Sequence, residues 1–223
     1  MAPVVTVEAV IDVVCPWCLI GHARLSRAIA AVGRDARVEV AYRTFLLEPD
    51  APRDRDEPMV AQLVRRMGVG SDVVDRMLAR VAAVAAGEGL DVDLARVRAV
   101  SSFDAHRVLR LAHARGCGGP VAAALLDAHF VAGRHLGRHA DLVEVAVAAG
   151  LDAAEVAAVL AGDAFADAVA ADVAAAAAAG ISGVPHFSFV GPALPPGERL
   201  EVGGAQEVAV LEAALRTVAG PPG

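Results

Sequence analysis

Over residues 5–13 every odd position is apolar (Val5, Val7, Ala9, Ile11, Val13), while Thr6, Glu8 and Asp12 fall between them. This alternation, rich in β-branched residues, predicts a strand with one buried face. Residues 19–32 follow a helical spacing instead. Pro16 stands just inside the helix start and Gly33 just past its end, as proline and glycine usually punctuate helices. Residues 37–45 alternate again, with Val38, Val40 and Tyr42 set against Glu39, Ala41 and Arg43. Strand, helix, strand is the crossover unit of a parallel sheet.

Residues 48–58 break the pattern with three prolines and mixed charges, which marks a boundary or linker. From Val60 to about Ala171 the patterning predicts helices only. Ser71 is placed to cap a helix ending at Gly87, with Val74, Met77, Val81 and Val84 on one stripe. Ser101 with Asp104, and Asp152 with Glu155, have capping-box spacing or its acidic analogue. Gly116 and Gly150 sit where helices stop, and Gly180 ends the helix carrying the alanine run 174–179. Strand patterning then returns at residues 185–190 and 199–202, separated by a Pro/Gly turn, before a last helix over about 206–218. The chain therefore divides into half an α/β domain (1–48), a helical insertion (49–171) and the other half (172–223).

Composition narrows the function. Hydrophobic residues make up 56% of the 223 and aromatics only 4%, so the apolar mass is alanine and valine, suited to closely packed helices. All 20 basic residues are arginine, and the net charge of -7 argues against electrostatic binding of nucleic acid. The longest apolar runs are too short to span a bilayer. The first ten residues lack the charge and cleavage pattern of a secretory signal, and three cysteines are too few for a disulfide scaffold. Together these predict a cytoplasmic protein whose cysteines are reduced, and catalytic or inert rather than structural.

Cys15-Pro16-Trp17-Cys18 carries the chemistry. Residues three apart on a helix share a face at roughly 5–6 Å, a separation that suits a disulfide. At a helix N-terminus, free backbone N–H groups and the positive dipole end favour a thiolate on Cys15. Such a thiolate is a good nucleophile and leaving group for thiol–disulfide exchange, with Cys18 one turn deeper as the resolving thiol. Pro16 and Trp17 then tune and shield the pair. The same spacing also fits half of a zinc site or two packed core cysteines. Zinc needs further ligands, however, and Cys117 is the only other cysteine.

The segment from Asp12 through Cys18 with Ile20-Gly21, together with four other motifs, resembles the DsbA family of thioredoxin-fold disulfide oxidoreductases. The likeness is to its FrnE-like branch, named for polyketide biosynthesis and described as dithiol–disulfide isomerases. Those four motifs are Arg43-Thr44-Phe45 leading to Glu48 through Pro52, Phe103-Asp104-Ala105-His106-Arg107, Ile181 through Pro185, and Gly204-Ala205-Gln206. The resemblance implies a thioredoxin fold interrupted by a helical domain, with Cys15 attacking and Pro185 a cis-proline facing it. Val184 would then pair with an extended substrate, and His186 and His106 become substrate-contacting candidates. The chain departs from the family at Leu19, where an aromatic is usual, at His186, and in the proline-rich loop 191–199.

The activity implied by this resemblance is that of a protein dithiol–disulfide oxidoreductase, with no cofactor beyond its own redox-active disulfide. Its partner would be a disulfide-containing protein or a small-molecule thiol, with glutathione open as co-substrate, and not nucleic acid, membrane or metal. A monomer and a homodimer fit equally. Two other classes share the fold. Kappa-class glutathione transferases and 2-hydroxychromene-2-carboxylate isomerases keep a serine at the nucleophile position, so retention of both cysteines favours redox chemistry. A non-enzymatic binding module would keep the apolar groove and a redox-inert cysteine pair. His135 and His139 have the i, i+4 spacing of two helix-borne metal ligands, but Gly137 lies between them.

Overall fold

Strand β1 (Val4–Ile11), helix α1 (Pro16–Val32) and strand β2 (Arg37–Thr44) build the expected crossover, with β1 and β2 parallel from Val4 opposite Arg37 to Ile11 opposite Thr44. In the computed structural model, which describes residues 2–221, α1 begins at Pro16, three residues before the helical spacing becomes visible. Proline fits there because the first helical N–H has no intrahelical acceptor to lose.

The chain then forms strand β3 (Glu57–Pro58), helices α2 (Met59–Met67) and α3 (Ser71–Gly87), strand β4 (Arg98–Ala99) and five more helices. These are α4 (Phe103–Ala114), α5 (Gly118–Phe130), α6 (His139–Ala148), α7 (Ala153–Ala161) and α8 (Ala166–Ala178). Strands β5 (His186–Val190) and β6 (Leu200–Gly203) and helix α9 (Val208–Ala219) complete it. The main sheet has the order β2-β1-β5-β6, with β5 antiparallel to both neighbours. Helix α9 packs on α1, β1 and β5, while α4, α5 and α8 pack on β2. Phe187 and Phe189 stand opposite Ala9 and Val7 and fill the core between sheet and helices.

Several expectations need correction. The region expected to hold only helices contains β4, which pairs with β3 (Glu57 opposite Ala99, Pro58 opposite Arg98) and ties the chain before α2 to the chain before α4. Ser71 is the first helical residue of α3, and Gly70 is its N-cap. Helix α4 is capped from Ser102 rather than Ser101, with no side-chain cap bond. At α7 the acidic analogue holds, since Asp152 accepts from the Ala154 and Glu155 N–H groups at 2.9 and 3.0 Å. The buried stripe of α3 is Val74, Leu78, Val81 and Ala85, which turns Met77 to the flank. Alternation in β1 also stops at Ala9: Val10, Ile11, Asp12 and Val13 are all buried.

The motif at the start of α4 works as an internal tie. Arg107, 3% exposed, donates to Ala164 O at 2.9 Å and to the carbonyls of Val159 and Gly162 at the end of α7. Asp104 orients it at 2.8 Å. Among the described residues no helix is long and apolar enough to cross a membrane.

Candidate functional site

Cys15 is the N-cap of α1. Its N–H donates to Asp12 O at 3.0 Å, and its carbonyl accepts from Cys18 N at 2.9 Å and Leu19 N at 3.3 Å. These bonds hold the two cysteines one turn apart at the start of the helix, so both belong to one local unit. Trp17 points outward, 37% exposed, whereas Cys15 is 5% and Cys18 0% exposed. Burial, followed by the hydrogen bond and charge of Cys15, pushes the Cys18 thiol well above the usual range for cysteine. At neutral pH Cys18 is therefore a protonated thiol held behind Cys15.

The loop before β5 closes over the pair. The Val184–Pro185 peptide is cis, and Val184 O accepts from Cys15 Sγ at 3.8 Å. The buried Pro185 ring rests on Gly21 of α1, and its carbonyl accepts from Gly204 N at 2.8 Å, which fixes the loop to the end of β6.

Asp12, read from the alternation as facing solvent, is fully buried at the end of β1. It accepts from Leu47 N at 2.8 Å and Val14 N at 3.3 Å, so one carboxylate organises both the cysteine turn and the exit of β2. His106 Nε2 lies 3.3 Å from Asp12 Oδ1. Asp12 opens the family-like segment that runs to Cys18, but the pattern gave it no role of its own. The available signal was its place three residues ahead of Cys15, where a turn needs a side-chain acceptor.

A cavity of about 430 Å³ opens beside Cys15. Pro16, Trp17, Gly183 and Val184 form one side, and Met59, Leu63, Met77 and Val81 of α2 and α3 form the other. His129 also lines it. Burial pulls the pKa of His129 down to about 4, so its imidazole is neutral at physiological pH. The rim arginines each face a carboxylate of the chain. Arg55 pairs with Glu48 and lies 3.6 Å from Glu57, Arg66 lies 3.4 Å from Glu48, and Arg98 lies 2.6 Å from Asp56.

Of the residues singled out from sequence, Cys15, Pro16, Trp17 and Val184 come together on this cavity, with Cys18 and Pro185 directly behind them. His106 does not reach it, being wholly buried against Asp12. His186 does not reach it either. Successive strand residues point to opposite faces, and His186 meets Glu201 at 2.8 Å on the side that also carries Ser188, Arg43 and Asp172. Cys117 is remote, its thiol donating to Ala112 O at 3.5 Å. His135 and His139 share no helix, and each faces a different carboxylate, Asp56 at 3.2 Å and Asp104 at 3.3 Å.

Known structures extend this picture. A probable DsbA oxidoreductase from Streptomyces coelicolor is 38% identical, with a TM-score of 0.84 over 95% of this chain and 88% of that one. The fold is shared with the cytosolic disulfide reductase DsbM from Pseudomonas aeruginosa (19% identity, TM-score 0.60, 93% and 95% covered). It is shared as well with a 2-hydroxychromene-2-carboxylate isomerase (16%, 0.66, 94% of each chain). The comparison with curated proteins gave no match. The DSBA-like thioredoxin domain model matches residues 6–216, which take in the cysteine turn, the whole helical insertion and the cis-proline loop; the chain belongs to that DsbA-like family, a thioredoxin fold carrying a helical insertion.

Proposed function

We propose that the protein is a thiol–disulfide oxidoreductase of the FrnE-like branch, with Cys15 attacking and Cys18 resolving. The Cys15 thiolate attacks one sulfur of a substrate disulfide R–S–S–R′. A Cys15–S–S–R bond forms, and R′S⁻ leaves and takes up a proton. Cys18 then loses its proton and attacks Cys15 Sγ, forming the Cys15–Cys18 disulfide and releasing RS⁻. The dithiol supplies both electrons, and the reverse sequence oxidises a substrate dithiol. Glutathione enters as co-substrate by returning the disulfide to the dithiol, and the chemistry asks for no metal or other cofactor.

The observation that carries this reading is the asymmetry of the pair. Cys15 caps the helix at the cavity with the Val184 carbonyl beside it, while Cys18 lies fully buried behind it. That order suits an attacking and a resolving thiol. A cytoplasmic setting belongs to the same reading and is supported by the cysteine usage, three thiols with no scaffold pairing.

Mass mapping after equilibration in glutathione buffers tests it. Wild type should form a Cys15–Cys18 disulfide and exclude Cys117. Cys18→Ser should accumulate glutathione on Cys15, and Cys15→Ser should accumulate none. A native disulfide to Cys117 would overturn the assignment. Full glutathione-dependent turnover in Cys18→Ser would point instead to the isomerase and transferase class.

A further inference from the structure

The cavity beside Cys15 has properties that a peptide-binding or glutathione-binding surface would not need. The attacking thiol is 5% exposed and borders a space that α2 and α3 wall on one side. An extended polypeptide disulfide would have to bring its sulfur to a thiol that is almost wholly covered. The volume of about 430 Å³ lies in the range of small-molecule pockets. Met59, Leu63, Met77 and Val81 line it together with the polar Gln62, Ser102 and His129, and methionines adapt to varied apolar shapes. At the rim Arg55 holds Glu48 and Arg98 holds Asp56, while Arg66 lies 3.4 Å from the Glu48 that Arg55 already occupies. The two carboxylates of a glutathionyl group would lose water on entry, with only the loosely held Arg66 at the rim to receive them.

We infer that this cavity takes the apolar substituent of a low-molecular-weight disulfide, making such a compound the preferred substrate. The inference rests on the exchange proposed at Cys15. For R–S–S–R′ with R apolar, Cys15 attacks the sulfur bearing R, seats R against Met59 and Met77, and expels R′S⁻. Cys18 then gives up its proton to solvent, displaces RS⁻ and closes the Cys15–Cys18 disulfide. Both electrons come from the dithiol, and each leaving thiolate is protonated by solvent.

Mixed 2-pyridyl disulfides test this because the leaving group stays constant while R varies. Pre-reduced protein is mixed with the 2-phenylethyl, glutathionyl and cysteinyl-peptide probes. Pyridine-2-thione release is followed, and each rate is divided by the rate of the same probe with free 2-mercaptoethanol. The 2-phenylethyl probe should exceed the other two by about tenfold or more, the effect of burying one aromatic group. Met77→Gln should shrink that ratio. Should the variant fail to fold, protection of wild-type Cys15 from iodoacetamide by 2-phenylethyl methyl thioether, and not by S-methylglutathione, reads the same preference. Equal normalised rates, or a faster glutathionyl or peptide probe, would overturn the inference while leaving the exchange chemistry intact. Release no faster than from Cys15→Ser for every probe would overturn the exchange reading itself.

Discussion

Pro185 and Gly21 are packed so closely that a β-carbon on the glycine would fall 2.6 Å from the proline Cγ and 3.3 Å from Phe187 Cζ. Gly21 is thus the place where the cysteine-bearing helix admits the loop that covers it. In an open helix, replacing glycine by alanine gains about 1 kcal/mol. Here the methyl must displace a buried ring backed by a second one, so Gly21→Ala should lose about 1–2 kcal/mol net. Urea unfolding decides the sign, and a stabilised variant would mean that the proline loop has room to retreat.

Much of this arrangement was legible along the chain. Strands β1 and β2 and helix α1 show in their periods, and Pro16 and Gly33 mark the helix ends, because each element buries one face. The two-residue strands β3 and β4 could not be seen, since a pair of residues carries no period and its partner lies some forty positions away. Asp12 was misread for a related reason. It continues the polar side of an alternation that ends at Ala9, where both faces of the strand become covered. Met77 read as an ordinary residue of a helix stripe and Met59 drew no reading, because their convergence on Cys15 depends on how α2 and α3 lie together. His186 was drawn to the site by its neighbour Pro185, although adjacent strand residues face opposite ways.

Acid should weaken the fold through His129. The ring sits edge-on to Phe130 with centroids 4.6 Å apart, and its Nδ1 has no partner among the described residues. Folded, it takes a proton only near pH 4; unfolded, near pH 6.5. Between those values the unfolded chain binds the extra proton, so stability is full above about pH 6.5 and falls as pH drops toward 4. The loss is about 2–3 kcal/mol by pH 4.5. Comparing urea stability at pH 7 and pH 4.5 measures it, and His129→Gln should remove most of the difference. An unchanged difference in that variant would assign the acid sensitivity elsewhere.

Arg107 should resist replacement even by lysine. One guanidinium serves the carbonyls of Val159, Gly162 and Ala164 while bonding Asp104. Carbonyls in the last turn of a helix have no partners within it, and a planar fork can reach several where an ammonium cannot. Arg107→Lys should cost about 2 kcal/mol, and Arg107→Ala about 3–5 kcal/mol because three carbonyls are then left without their donor. Thermal and urea unfolding would read both. A lysine variant as stable as wild type would show that a point charge suffices at the end of α7.

The Asp12 carboxylate should influence the resolving step through its charge. Its oxygens are taken up by Val14 N, Leu47 N and His106, so it acts on Cys18 through charge. Burial is the main reason that Cys18 holds its proton, with Cys15 next; a hydrogen bond with the Asp12 backbone works against them, and the Asp12 charge adds to them last. Asp12→Asn keeps an acceptor for Leu47 but removes the charge, which should cost about 1–3 kcal/mol of stability and ease deprotonation of Cys18. More thiolate speeds attack on the Cys15 mixed disulfide, although a less basic thiolate is a poorer nucleophile, so the net gain should be roughly threefold. Trp17, the single tryptophan, lies between the two cysteines and supplies the stopped-flow signal. Faster decay of a glutathione adduct on Cys15, together with a rise in rate beginning at lower pH, is the expected result. Slower decay would instead make Asp12 the group that receives the Cys18 proton, and the same carboxylate would then be a participant in the exchange rather than a brake on it.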